Sequence, residues 1–300
     1  MTPTLTVGLA NFGPPHGGSL RAMVDLARLA DDAGVDRVNV VDHVVMGPHT
    51  DAYTWGRFPT PPEAMWNEPL TVLAAMAAVT TTVRLSTGIL IAPLRPAALL
   101  AKTVATLDQL SNGRIDLGVG VGWQREEYEA VGLAFEQRGQ LLDDAIGACR
   151  ALWTQMPAEF SSPSVSFTQT YCSPQPVQAR LPVWFSGVLI ERNVRRVVEL
   201  GDGWIPIMGA TLADIAAGTA RLRCDYAAAG RDPASLSVQA PVVMAKGDHG
   251  FDIDATMASI PRLIEAGATN VYVNLRAFDP TGDAAGATMS RIVTAFRRQV

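Results

Sequence analysis

The amino-acid sequence predicts an α/β protein whose parallel strands close into a (β/α)8 barrel, and two observations carry that expectation. Three segments repeat one punctuation, in which an apolar helical run ends at a glycine and a short β-type strand follows. They are Leu20 to Ala33 with Gly34 and Val38–Val41, Ile190 to Leu200 with Gly201 and Trp204–Ile207, and Pro261 to Ala266 with Gly267 and Val271–Leu275. Glycine just past the last periodic residue stops a helix, because it enters left-handed backbone without a Cβ penalty. Extended along the chain, the same reading gives eight strand–helix units in uninterrupted alternation. Eight units in sequence suit closure into a barrel better than a doubly wound open sheet.

Taken in order, strands are expected near 4–9, 37–42, 83–91, 114–119, 182–186, 203–208, 236–244 and 270–275. Helices fall between them near 19–33, 69–79, 96–110, 139–154, 190–200, 212–229, 255–266 and 284–298. The third helix should end at Ser111-Asn112-Gly113, small turn formers that accept a left-handed cap. A strand through Ile115, Leu117 and Val119 follows, and the acidic pair Glu126-Glu127 opens the next helix. Two connections are too long for ordinary loops: Met46 to Glu68, after the second strand, and Met156 to Arg180, before the fifth. Long connections in a compact domain are usually functional or disordered. Neither has the internal periodicity of a separate unit, so residues 1–300 read as one domain.

Composition narrows the function classes. A hydrophobic share of 48% and a charged share of 18% are those of a globular protein with a sizeable core. No apolar run approaches the roughly 18 to 20 residues that span a bilayer, and the start, MTPTLTVGLANF, has no basic segment ahead of an apolar core. Cys149, Cys172 and Cys224 are odd in number and lack metal-type spacing, so unpaired thiols and a cytoplasmic setting are expected. A net charge of −5 with no basic stripe argues against nucleic acid. His16 and His49 fall in loops and His249 in a Gly-Asp-rich turn, so no metal cluster is expected.

The chemistry-bearing residues fall at strand exits. Asp42 and His43 end the second strand, at the face where barrels keep their active sites. The pair is either a hydrogen-bonded corner or a carboxylate orienting an imidazole for proton transfer. Gly88 inside the third strand marks a bulge or a close backbone approach. Gly118, Gly120 and Gly122 alternate with Val119 and Val121, which allows either a tight turn or something flat against bare backbone. After the fifth strand, Ser186-Gly187-Val188 leads into a helix whose first amides make a ready anion site.

The run Leu110 to Glu127, LSNGRIDLGVGVGWQREE, resembles the luciferase-like monooxygenase superfamily, and more narrowly its actinobacterial deazaflavin-dependent branch. The resemblance extends through Asp42-His43-Val44-Val45, Gly56-Arg57-Phe58-Pro59, Leu85 to Leu110, Arg114 to Trp153 and Pro182 to Pro206. It implies a TIM barrel in which Asp42 and His43 border a bound cofactor ring, with His43 as base or ring stabiliser. It implies a non-prolyl cis bond at Gly88-Ile89 against one ring face. Gly120, Val121, Gly122 and Trp123 would line the cofactor, and Ser186, Gly187 and Val188 would hold its phosphate. Arg57 would reach an acidic cofactor tail, whereas Arg195-Arg196 would anchor the phosphate loop.

Two departures matter. Flavin mononucleotide users have an arginine near Val121, and its absence favours the deazaflavin coenzyme F420. Some relatives have a catalytic glutamate where this chain has Trp123. The resemblance therefore implies an F420-dependent oxidoreductase acting on a small organic molecule. An FMN-dependent monooxygenase and a non-catalytic F420-binding protein are the alternatives. It also implies a homodimer, with the 69–79 helix (Leu70, Leu73, Ala77) as interface, and a second insertion that helps cover the pocket.

Overall fold

Eight parallel strands close into a barrel, with the first hydrogen-bonded to the last from Thr4↔Asn270 to Gly8↔Asn274. The computed structural model describes residues 2–14, 18–206, 209–248 and 250–300. In chain order the strands are β1 (Thr4–Gly8), β2 (Arg37–Val40), β3 (Arg84–Ile91), β4 (Ile115–Gly120), β5 (Ala158–Ser161), β6 (Ser166–Thr170), β7 (Val183–Ser186), β8 (Gly203–Ile205), β9 (Ser237–Pro241), β10 (Lys246–Gly247), β11 (Gly250–Phe251) and β12 (Asn270–Asn274). The barrel runs β1-β2-β3-β4-β7-β8-β9-β12, while β5–β6 and β10–β11 form separate two-stranded pairs.

The helices are α1 (Leu20–Ala33), α2 (Pro69–Ala77), α3 (Ala97–Ser111), α4 (Arg125–Ala130), α5 (Arg138–Thr154), α6 (Glu191–Glu199), α7 (Leu212–Ala228), α8 (Ile253–Met257), α9 (Ile260–Glu265) and α10 (Ala285–Arg297). Each barrel strand and helix stands within a few residues of its expected place. The run expected as one helix at 255–266 is split, because Pro261 lies in the first turn of α9 and has no N–H to continue α8. The strand expected at 203–208 ends at Ile205; Ile207 and Met208 lie outside the described residues, as do His16 and His249.

Left-handed caps stand where the sequence placed them at Gly34 (φ 77°), Asn112 (φ 55°) and Gly267 (φ 99°). Gly201 is different: it lacks a positive φ, and it is required because a Cβ there would lie 2.9 Å from the Phe185 ring and 3.0 Å from Val197.

Two expectations are corrected by packing. Leu70, Leu73 and Ala77 of α2 are buried in the core of the chain itself, so they cannot supply a dimer interface. The second insertion does not reach the barrel mouth in its recorded contacts. It folds as the β5–β6 hairpin on the outer face of α5, where Phe160 and Phe167 cover Ala145 and Ala148 and the Ser164 hydroxyl donates to Asp144. It then runs to the opposite end, where the Gln178 amide donates to the Ile115 carbonyl at the start of β4.

The lower barrel interior is polar. Asp116 accepts from Arg37 Nε and Arg84 Nε, both at 2.7 Å, which places an ion triad at the lower end of the barrel. Burial alone would raise the Asp116 carboxyl, but the two guanidiniums hold it below the usual carboxylate value. Barrels of this kind keep their active sites at the strand C-terminal ends. Among the described residues no helix is long and apolar enough to cross a membrane.

Candidate functional site at the barrel mouth

The exit of β2 is fixed from β1. Asn11 Nδ2 donates to the Val41 carbonyl at 2.7 Å, and its Oδ1 accepts from the Val41 N–H at 3.0 Å. The next two side chains go to different partners. Asp42 accepts from Arg95 through both carboxylate oxygens, at 2.7 and 3.0 Å, and from the Ile91 N–H at 2.9 Å. It therefore ties β2 to the end of β3 and has no recorded bond to His43. Burial acts against the Arg95 charge, yet its bonds to Asp42 and Glu68 hold it above the ordinary arginine value.

The partner of His43 is Glu127. Its Oε2 lies 3.0 Å from His43 Nδ1, and its Oε1 accepts the Val44 N–H at 2.8 Å. Glu127 is fully buried and His43 nearly so. An ionised carboxylate only accepts, so Nδ1 carries the proton toward Glu127 and Nε2 is the nitrogen left for chemistry. The neighbouring turns of α4 reinforce the arrangement. The Gln124 amide exchanges bonds with Gly47 N–H and carbonyl, at 3.0 and 3.3 Å, and Glu126 pairs with His49. The acidic residues thus do more than favour a helix N-terminus: they lock the root of the loop after β2.

That loop brings aromatic rings onto the imidazole. Trp66, Phe58 and Trp123 stand roughly perpendicular to His43, with centroids 4.5, 5.5 and 5.8 Å away. Tyr53 packs against Phe58 and Trp123, and Phe12 stacks on Trp66 at 4.5 Å. Trp123 therefore stands in an aromatic wall. Arg57, beside Phe58, is exposed and has no partner among the described residues.

The Gly88–Ile89 peptide is cis, as the resemblance implies. A Cβ at Gly88 would lie 2.1 Å from Asn39 Nδ2, so no side chain fits there. The β4 glycines have a packing reason that the sequence reading did not contain. The β3–β4 register shifts between Thr87 and Leu90, and a Cβ on Gly118 would meet the Thr87 carbonyl oxygen at 2.1 Å. A Cβ on Gly120 would meet Ile89, and one on Gly122 (φ 67°) would meet Ile91, both at 3.0 Å. The glycines are thus required to seat the bulged β3 edge. Val121 is partly buried beside them, its carbonyl accepting from the Tyr128 hydroxyl at 2.5 Å.

Across the mouth, β7 ends at Ser186 and Gly187 turns with φ 121° before α6. Asn193 Nδ2 donates to the Val188 carbonyl at 3.1 Å and holds this turn. The Val188 and Leu189 N–H groups and the Ser186 hydroxyl have no partner among the described residues. Arg196 is buried on Asp143 and the Gly139 carbonyl, whereas Arg195 is exposed, so the arginine pair anchors α6 to α5 through one member. His43, the β3 and β4 glycine segments and the Ser186 turn thus share the C-terminal face. Asn11, Arg95 and Trp66 belong to the same construction and were not singled out from sequence. Only the length of the Met46 to Glu68 connection, which contains Trp66, signalled any of them.

Residues 5–266 match the family model for luciferase-like monooxygenases. The uncharacterized protein Rv0953c of Mycobacterium tuberculosis is 31% identical over 270 residues, which cover 89% of this chain and 90% of that protein. Among solved structures, an F420-dependent secondary alcohol dehydrogenase in complex with an F420-acetone adduct has a TM-score of 0.79 at 17% identity, covering 99% of this chain and 100% of that one. The oxygenating constituent of 3,6-diketocamphane monooxygenase from Pseudomonas putida, in complex with FMN, has a TM-score of 0.72 at 14% identity, covering 100% of this chain and 99% of that one. At these identities the two structural likenesses concern the fold alone.

Proposed function

The chain belongs to the luciferase-like monooxygenase family, and we propose that it is an oxidoreductase that uses the deazaflavin coenzyme F420 to transfer a hydride to or from a small organic molecule. The buried Glu127–His43 pair is the observation that carries this reading, because it fixes one imidazole tautomer at the barrel mouth. His43 Nε2 then takes or gives the proton that accompanies hydride transfer. Asp42 acts at one remove, holding β2 against β3 through Arg95 and Ile91.

The residues present fit the deazaflavin. The anion site would be the turn after β7, whose neutral donors are the Ser186 hydroxyl and the Val188 and Leu189 amides, just ahead of α6. Such donors suit a phosphodiester, and Gly187 leaves the backbone uncovered beside them. Val121 brings no positive charge from β4, which disfavours a terminal phosphate monoester there. Gly88, Ile89, Gly120 and Gly122 would face the ring system, Trp123 would border it, and Arg57 is free to meet an acidic tail. The bound coenzyme would supply a two-electron hydride carrier, while the protein supplies binding, orientation and the proton. The aromatic side chains on His43 would keep water from that proton.

Equilibrium titration of the protein with F420 and with FMN, followed by turnover of the tighter-bound one on a carbonyl and enone panel, tests the reading. F420 binding with hydride transfer is expected. Preference for FMN with oxygen consumption would assign the monooxygenase alternative, and F420 binding without turnover on any acceptor would assign a carrier.

A further inference from the structure

We propose that Tyr272 is a ligand-binding residue of the barrel mouth, its hydroxyl donating a hydrogen bond to a ring carbonyl oxygen of the bound coenzyme. This rests on the oxidoreductase reading above and adds a contact from β12, which stands two strands round the barrel from the β2 exit that carries His43.

The first observation is where the phenol points. Leu5 and Val7 of β1 and Val271 and Val273 of β12 share one core with Met289 and Ile292 of α10. Side chains alternate across a strand, so Thr6, Gly8, Asn270 and Tyr272 face the barrel interior. The Tyr272 ring lies over Gly8, the last residue of β1. A Cβ on Gly8 would stand 2.2 Å from the hydroxyl oxygen and 2.8 Å from Cζ. Glycine thus leaves the place that the phenol takes, and the hydroxyl reaches the C-terminal end of β1.

The second observation is that nothing in the chain uses this hydroxyl. One level lower the inward polar groups satisfy each other: Asn270 Oδ1 accepts from the Thr6 hydroxyl and the Gln239 amide, both at 2.9 Å, and Asn270 Nδ2 donates to Thr4 Oγ1. The Tyr272 hydroxyl has no recorded hydrogen bond among the described residues, and the side chain keeps part of its surface exposed. Burial pushes the phenol up to about 12 with no bond or charge opposing it, so it stays a neutral donor. Polar groups inside a barrel are ordinarily paired, and one left open at the mouth is available to a ligand acceptor.

The third observation is its level. Asn39 of β2 is the register partner of Gly8, and its Nδ2 stands 2.1 Å from where a Gly88 Cβ would be. Gly8 and Gly88 therefore flank Asn39, two strands apart, and a ring set against Gly88 and Ile89 shares a layer with the hydroxyl. A neutral donor matches a neutral ring carbonyl, an acceptor that deazaflavin and flavin rings have in common.

Titration of the full chain and of Tyr272→Phe with F420 and with FMN, and difference infrared spectra of the ring carbonyl stretch in the complex that forms, test this without turnover. Phenylalanine keeps the ring over Gly8 and removes an oxygen that has no protein partner, so the melting temperature is expected to hold. Losing one neutral hydrogen bond predicts about three- to tenfold weaker binding and a carbonyl band moved to higher frequency. Unchanged affinity or an unmoved band in Tyr272→Phe would overturn the proposal. Tyr272-dependent binding of FMN in place of F420 would remove the deazaflavin reading and leave this one standing, whereas binding of neither would overturn both.

Discussion

Glu127 Oε2 lies 3.0 Å from His43 Nδ1 although 84 positions separate the two residues. The contact joins the first turn of α4 to the exit of β2, and the second Glu127 oxygen secures the adjoining Val44 N–H. One buried carboxylate thus sets both the tautomer of the imidazole and the path of the chain that carries it.

Glu127→Gln keeps the volume but removes the charge that orients His43. A charge-assisted hydrogen bond contributes about 1.5 to 3 kcal/mol, so kcat is expected to fall about ten- to a hundredfold while KM changes little. His43→Asn should cost about a hundredfold or more, and adding Glu127→Gln to it should cost little further, because the two act as a unit. Full additivity in that double-mutant cycle would show Glu127 to be a support of the fold alone.

The sequence disclosed the barrel because its signals are local. Helix periodicity, glycine caps and short apolar strands each sit within one window, and Gly34, Asn112 and Gly267 adopt left-handed backbone as expected. The site depends on distant pairings, and adjacency misled: Asp42 neighbours His43 in the chain, but consecutive residues leaving a strand turn to opposite sides. Asp42 therefore meets Arg95, and His43 meets Glu127. The roles of Gly118, Gly120 and Gly122 were hidden for the same reason, since the residues that exclude a Cβ belong to β3. The 156–180 connection carried too few apolar residues to reveal a hairpin, which gains its stability from α5.

Asp42→Ala separates support from proton transfer. It leaves Arg95 buried beside no carboxylate but the more exposed Glu68 and frees the Ile91 N–H. Breaking a buried pair from one side costs about 3 to 5 kcal/mol. A lower denaturant midpoint is expected, with Asp42→Asn milder and the pH dependence of the surviving activity unchanged. A shifted pH profile at full stability would restore Asp42 to the chemistry.

The His49–Glu126 contact makes the loop root pH-dependent. The Glu126 carboxylate, through its hydrogen bond and then its charge, holds His49 above its ordinary value of 6.5. The bond from His49 holds Glu126 below its ordinary value of 4.5. The raised His49 contribution is complete below 6.5 and is lost as pH rises through the folded value. The lowered Glu126 contribution is complete above 4.5 and is lost as pH falls through the folded value. The latch is therefore strongest between these limits. Proton NMR titration of His49 should give a midpoint above 6.5 that Glu126→Gln returns toward that value; an unshifted midpoint in the unsubstituted protein would show that the pair does not persist in solution.

The turn after β7 provides the sharpest test of cofactor choice. Its donors are a hydroxyl and main-chain amides just ahead of α6, and none carries charge. Val121 adds no guanidinium from β4, so a doubly charged terminal phosphate would lack a cation that a phosphodiester does not need. The missing charge-assisted contact is worth about 1.5 to 3 kcal/mol, or roughly ten- to a hundredfold in affinity. F420 is therefore expected to bind at least about tenfold more tightly than FMN. Ser186→Asp sets like charge against the phosphate and removes a donor, so it should abolish that advantage without lowering the melting temperature, because Ser186 is only partly buried. Unchanged F420 affinity in Ser186→Asp would place the phosphate elsewhere on the mouth, and stoichiometric flavin in the purified protein would reverse the cofactor assignment.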